Sequence, residues 1–168
     1  MSRGISATGT PSMEELEGGP GFPSEARLLK GAVAVIECIQ EIPCDVCGSA
    51  CPFGAITLTS ISSLPKLDEE RCTGCGTCIP SCPGLAIFLV DLNYSEDEAL
   101  VSFPYELLPV PEIGSTVKAT DRLGKGVTTG KVMSADERDG CDRTLIVSVA
   151  VPKEYAQRVR GIAPPRKA

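Results

Sequence analysis

Hydrophobic positions in this chain fall into short runs rather than long amphipathic stretches. Runs rich in Val, Ile and Leu at residues 32–37, 56–59 and 87–90, with a shorter one at 66–68, read as β-strands. Cysteine-bearing loops separate them, and one phrase occurs twice: Cys51-Pro52-Phe53-Gly54-Ala55-Ile56, then Cys82-Pro83-Gly84-Leu85-Ala86-Ile87. Strand, cysteine loop, short helical turn and strand, done twice, predict a pseudo-twofold α+β unit. Beyond it, residues 99–103, 116–120, 127–133 and 144–151 are strand-like, with turn signals at Asp121–Gly126 and Asp136–Gly140. In the last of these, Leu145, Val147, Val149 and Val151 alternate with Ile146, Ser148 and Ala150, which suits a small barrel-like domain with one apolar and one mixed face. One helical turn at Lys153–Arg158 and a basic, Pro-containing tail close the chain. The expected fold class is α+β, in three parts: an arm (1–30), the repeat unit (31–98) and an all-β unit (99–168).

Charge supports the second boundary. Residues 1–98 carry 5 Lys/Arg against 14 Asp/Glu, whereas residues 99–168 carry 11 against 8. The sign changes at a polar connection, Asn93–Glu98. Residues 1–23 are rich in Gly, Pro and Ser, with a capping-box signal at Ser12–Glu15. They read either as a mobile tail or as an arm that orders on a partner subunit.

Composition narrows the chemistry. The 168 residues contain no His and no Trp. This removes imidazole ligands for zinc, copper or a Rieske centre, and histidine as a proton-transfer group. Few aromatics also mean a modest core, for which bonded metal clusters would compensate. The first thirty residues lack the apolar segment of a secretory signal, and the longest apolar stretch, Leu85–Val90, falls far short of the roughly 20 residues a membrane span needs. The expectation is a cytoplasmic protein with reduced thiols and no membrane span. Gly124-x-Gly126-x3-Gly130 has the wrong spacing for a dinucleotide loop. There is no P-loop and no nucleophile–base pair, so no catalytic residue and no small-molecule substrate is expected. A net charge of +3 over residues 99–168 gives little support for nucleic-acid binding.

Eight of the nine cysteines form two runs: Cys38-x5-Cys44-x2-Cys47-x3-Cys51-Pro52 and Cys72-x2-Cys75-x2-Cys78-x3-Cys82-Pro83. The second has the spacing of the bacterial [4Fe–4S] ligand run. Three cysteines at i, i+3 and i+6 let one tight loop wrap three corners of a cube, while the fourth must come from elsewhere. Gly74 and Gly76 permit positive φ and let amides approach sulfur. Pro52 and Pro83 end the loops; Ala55, Ile56, Ala86 and Ile87 supply apolar cover. In the first run the opening gap, Ile39–Pro43, is longer, and Cys38 is taken as the first ligand with the loop bulging by three residues. Other readings are a three-iron or open site on Cys44 and Cys47, a pair of zinc sites, or disulfides. Cys141 stands apart and reads as an ordinary small residue.

Over residues 31–92 the chain resembles bacterial-type two-cluster (2[4Fe-4S]) ferredoxin domains. That resemblance implies two [4Fe-4S] clusters with crossed ligands: Cys38, Cys44, Cys47 and Cys82 on one, Cys72, Cys75, Cys78 and Cys51 on the other. The whole chain is similar to the small iron–sulfur subunit that accompanies FAD-dependent amino-acid dehydrogenases acting on proline- or glycine-like substrates. This second likeness rests on Val35-Ile36-Glu37-Cys38, Cys82–Ile87 and Val117–Arg122 in the trailing unit. It implies a non-catalytic electron-transfer subunit, in a hetero-oligomer with an FAD-dependent oxidoreductase, relaying electrons to an acceptor. The alternatives are a free-standing, diffusing ferredoxin and an Fe–S redox sensor.

Overall fold

The computed structural model describes residues 4–137 and 143–164. Cys141, part of the Asp136–Gly140 turn and the end of the basic tail lie outside the described residues. The strands are β1 (Val33–Ile36), β2 (Ile56–Thr57), β3 (Lys66–Leu67), β4 (Ile87–Asp91), β5 (Glu98–Tyr105), β6 (Thr116–Thr120), β7 (Gly126–Asp136), β8 (Leu145–Pro152) and β9 (Gly161–Ile162). Seven form one antiparallel sheet in the order β1-β4-β5-β8-β7-β6-β9; β2 and β3 form a separate antiparallel pair. The helices are short: α1 (Ile5–Thr8), α2 (Met13–Glu17), α3 (Glu25–Leu28), α4 (Val46–Ala50) and α5 (Cys78–Ser81), with a 3-10 turn at Lys153–Tyr155. No helix among the described residues is long and apolar enough to cross a membrane.

The expected strands are all present, within a few residues of their expected ends, and the fold is mixed, dominated by antiparallel sheet. The sheet runs straight across the charge boundary, because Leu89 to Asp91 of β4 pair with Leu100 to Ser102 of β5. Among the described residues no pairing joins the edge strands β1 and β9. β8, the central strand, is buried from Ile146 through Val151, so its mixed face is covered as well as its apolar one. Part of that cover is α5, which packs on β5 and β8. The polar residues there satisfy each other: Ser102 and Ser148 face across the β5–β8 register, with their hydroxyls 2.8 Å apart.

The described part of the arm packs on this chain's own strands. Helices of four or five residues have no stability of their own, so caps and packing hold them. The Ser12 hydroxyl accepts from the Glu15 amide, and the Glu15 carboxylate accepts from the Ser12 amide at 2.8 Å and the Ile5 amide at 3.0 Å. Leu16 is 1% exposed. The chain then passes over the β1 edge: Gly21 O accepts from Ile36 N at 3.1 Å, and Pro20 O from Leu67 N at 3.0 Å. An edge strand that would otherwise offer open backbone groups is thereby covered.

Gly21 is what allows this approach, since a methyl there would lie 2.8 Å from Ile36 Cβ and 3.1 Å from Ile36 O. Gly21→Ala is expected to lower stability by about 1–3 kcal/mol in urea unfolding, and to speed protease cleavage within residues 4–30.

Candidate functional site

Two matching hydrogen bonds organise the cysteine region. Where β1 ends, Ile36 pairs with Ile87 of β4, and the ladder extends by one bond from Glu37 N to Ala86 O, 2.8 Å. Where β3 ends, Leu67 pairs with Ile56 of β2, and the extension runs from Asp68 N to Ala55 O, 2.7 Å. Antiparallel pairing sets the chain leaving one strand beside the chain entering its partner. Cys38 therefore meets Cys82, and Cys72 meets Cys51, although each pair belongs to different runs.

The local geometry repeats as closely. α4 and α5 end at Cys51 (φ −80, ψ 108) and Cys82 (φ −81, ψ 111). From each of these the chain turns back so that Ala55 N donates to Cys51 Sγ at 3.3 Å and Ala86 N to Cys82 Sγ at 3.5 Å. Both turns need a left-handed residue: Gly54 (φ 61) takes it in the first, and Leu85 (φ 51) in the second, one of the rare side chains in that region.

Counting from the two matched amides corrects the bulge expected in the first run. Cys51 lies fourteen positions after Glu37, and Cys82 fourteen positions after Asp68. Cys44 thus corresponds to Cys75, and Cys47 to Cys78. The loop is not longer; its first cysteine stands three places nearer the strand, and the exposed Glu41 occupies the position equivalent to Cys72.

The result is two rings of thiols. Cys38, Cys44, Cys47 and Cys82 line a hollow of about 180 Å³, closed by Ile36, Ile39, Ile42, Ala86 and Ile87. Cys51, Cys72, Cys75 and Cys78 line a narrower one, about 20 Å³, against Ala34, Ala55, Ile56 and Leu89. Among the described residues no three His, Cys, Asp or Glu side chains converge closely enough to hold a single ion. Four thiols lining an apolar hollow are a donor set of the kind that binds iron–sulfur clusters.

Electrostatics follow the same grouping. Burial pushes the Cys78 thiol up to about 12, with Cys72, Cys75 and Cys51 adding to the rise. Burial likewise lifts Cys47 to about 11, reinforced by Cys82, Cys44 and Cys38. Cys38 is raised by burial and by Cys82 and Cys44, the Gln40 amide opposing. Cys38, Cys47 and Cys78, buried among other thiols, thus resist ionisation unless cations hold them as thiolates. Donors for such thiolates are in place: besides Ala55 and Ala86, Ala34 N lies 3.4 Å from Cys72 Sγ. Gly74 (φ 70) and Gly76 (φ 75) have the positive φ expected of them.

Four charged residues at the site are not singled out as such by the sequence pattern. Arg27 of α3 reaches under the second ring, donating to the carbonyls of Glu69, Gly31, Ala32 and Cys72 at 2.8–3.0 Å. Behind the first ring, the Glu37 carboxylate accepts from Arg122 Nε at 2.7 Å and Arg160 Nε at 2.6 Å. The available signal was Glu37 itself, a charge ending an apolar strand directly before a cysteine. Its partners lie 85 and 123 residues away, beyond local pattern.

Residues 65–88 match the 4Fe-4S binding domain family. The chain is 43% identical over 58 residues to one component of the ion-translocating oxidoreductase complex of Methanosarcina acetivorans, covering 34% of this chain and 20% of that protein. It is 46% identical over 44 residues to a component of the Na(+)-translocating ferredoxin:NAD(+) oxidoreductase complex of Acetobacterium woodii, covering 26% and 13%. With the beta component of the dissimilatory-type sulfite reductase of Archaeoglobus fulgidus it shares 42% identity over 48 residues, 29% and 13% of the two chains. The chain spans at most 20% of the length of these three relatives. No solved structure matches it. It contains a 4Fe-4S ferredoxin domain.

Gly74 and Gly124 separate backbone strain from steric contact, because their φ values are 70 and 73. A methyl on Gly124 would have nothing within 4 Å, whereas one on Gly74 would sit 2.5 Å from Ala32 O. Gly124→Ala is expected to cost about 1–2 kcal/mol of strain and Gly74→Ala several times that. Urea unfolding of both variants, beside iron content for Gly74→Ala, measures the difference.

Proposed function

We propose that this chain is an electron-transfer subunit that holds two [4Fe-4S] clusters. Cys38, Cys44, Cys47 and Cys82 hold one, and Cys51, Cys72, Cys75 and Cys78 hold the other. The observation carrying this reading is the pair of rings, each built from three cysteines of one run and the last cysteine of the other. When bound, each cluster supplies a site that takes up and gives back one electron.

The chain's own residues have defined tasks in this reading. The eight thiolates bind. The amides of Ala34, Ala55 and Ala86 donate to ligand sulfurs, which disperses their charge. Ile36, Ile56, Ile79 and Ile87, all buried, keep water from the rings. Each run contributes to both rings, so the two clusters share one set of loops and stand close enough for electrons to pass between them.

The relay runs between an FAD-dependent oxidoreductase subunit and an acceptor. A reduced flavin holds two electrons, and two neighbouring one-electron sites can take them in succession. The likeness to small subunits of amino-acid dehydrogenases supports this choice, as do relatives whose names place them in oxidoreductase complexes. The arm and the trailing strands, which carry no catalytic group, provide surface for a fixed assembly.

Anaerobically purified protein is expected to be brown, with about eight irons and eight acid-labile sulfides per chain. Cys82→Ser should then disturb the EPR signal of the cluster on the Cys44–Cys47 loop and leave the other intact. Loss of only the Cys72–Cys78 cluster in that variant would show the assignment of ligands to be wrong. Native purification should yield a flavin-containing chain at fixed ratio; elution as a lone small protein would refute the subunit role.

A further inference from the structure

Both rings have a buried arginine behind them. Arg27 is 9% exposed. Its four hydrogen bonds go to neutral carbonyls, one of them that of Cys72 itself, and among the described residues no carboxylate lies within ion-pair distance of it. Behind the first ring, Arg160 (side chain 2% exposed) and Arg122 (13%) share the single carboxylate of Glu37 (6%). Arg160 stacks over Phe88 at 5.0 Å, donates to the carbonyls of Ala156 and Val159, and leaves Nη2 without a partner among the described residues. The triad carries a net charge of +1; Arg27 carries +1, and the Glu69 carboxylate, held low by its hydrogen bonds from Ser24 and, to a lesser degree, by Arg27, lies beyond ion-pair distance. Glu37 directly precedes Cys38, and its amide bonds the carbonyl of Ala86, whose own amide faces Cys82 Sγ.

Isolated buried cations are unfavourable by several kcal/mol each, and a buried ion pair seldom repays its own desolvation. An anion close by would change that balance. A four-iron, four-sulfide core on four thiolates is dianionic when oxidised and trianionic after taking up one electron. A fixed positive charge beside it favours the more negative state.

We propose that Arg27 and the Arg122–Arg160–Glu37 triad are separate electrostatic controls, each raising the reduction potential of the cluster in its own ring. Arg27 acts on the Cys51, Cys72, Cys75 and Cys78 ring from the arm; the triad acts on the other ring from the trailing sheet. The two outer segments of the chain thus tune one cluster each. This rests on the cluster reading given above.

Three near-isosteric variants test it: Arg160→Gln, Glu37→Gln and Arg27→Gln. Each is purified anaerobically, assayed for iron and sulfide, and reduced stepwise with dithionite at controlled potential under EPR. The signal disturbed by Cys82→Ser identifies the first ring. At the potential where the first-ring signal is half developed in the wild type, Arg160→Gln should lower its reduced-to-oxidised ratio about ten-fold and Glu37→Gln should raise it, with the second signal unmoved. Arg27→Gln should lower only the second. Opposite signs from Arg160→Gln and Glu37→Gln cannot come from simple loosening of the fold, so that pair decides the first-ring control; should Arg27→Gln fail to accumulate, Arg27→Met, which removes the same charge, decides the second by the same readout. Shifts of the same sign, shifts of both signals together, or none would overturn the proposal. Wild-type protein lacking sulfide would instead overturn the cluster reading beneath it.

Discussion

Two backbone hydrogen bonds, Glu37 N to Ala86 O and Asp68 N to Ala55 O, determine how the cysteines are shared out. Each lies at the end of an antiparallel pair, so the strand just left and the strand about to be entered are held side by side. With cysteines flanking those ends, the rings have to be mixed between the two runs. Ring membership is thus a consequence of register. A slip of one residue in β1 against β4 would turn Ile36 away from the face that Ile87 keeps and separate Cys38 from Cys82.

The same constraint explains why so little apolar mass suffices. β2 and β3 are two residues each and α5 only four, and elements of that length do not persist alone. Their neighbours hold them: the arm bonds β1 and β3 through Gly21 and Pro20, and α5 lies on β5 and β8. The ring-bearing half is therefore continuous with the trailing sheet through the β4–β5 ladder, and Glu37 is joined to residues 122 and 160 across that junction. On the proposed reading, a partner gripping the trailing strands would also grip the residues nearest one cluster.

Much of this was legible in the sequence because the signals are local. The C-P-x-x-A-I phrase, the β-branched runs and the glycines at positions 74 and 76 each act within a few residues, and the strands they predict are present. The capping box at Ser12 was legible too, but its consequence was not. A Gly/Pro-rich segment reads as a tail until one sees that Gly21 fits against Ile36. The spacing of the first run misled for a related reason: a gap between cysteines was visible, but its reference point, the Glu37 amide, appears only once β1 and β4 are paired. The arginines were illegible for lack of any local mark, since Arg27 meets carbonyls up to 45 residues away and Arg160 meets Glu37 at a separation of 123.

The most direct measurement is an anaerobic crystal structure with anomalous differences recorded at the iron absorption edge. The account predicts two compact four-iron peaks, one bonded to the sulfurs of Cys38, Cys44, Cys47 and Cys82, the other to those of Cys51, Cys72, Cys75 and Cys78. A peak surrounded by the four cysteines of a single run, or single-metal peaks at the centre of four sulfurs, would contradict it.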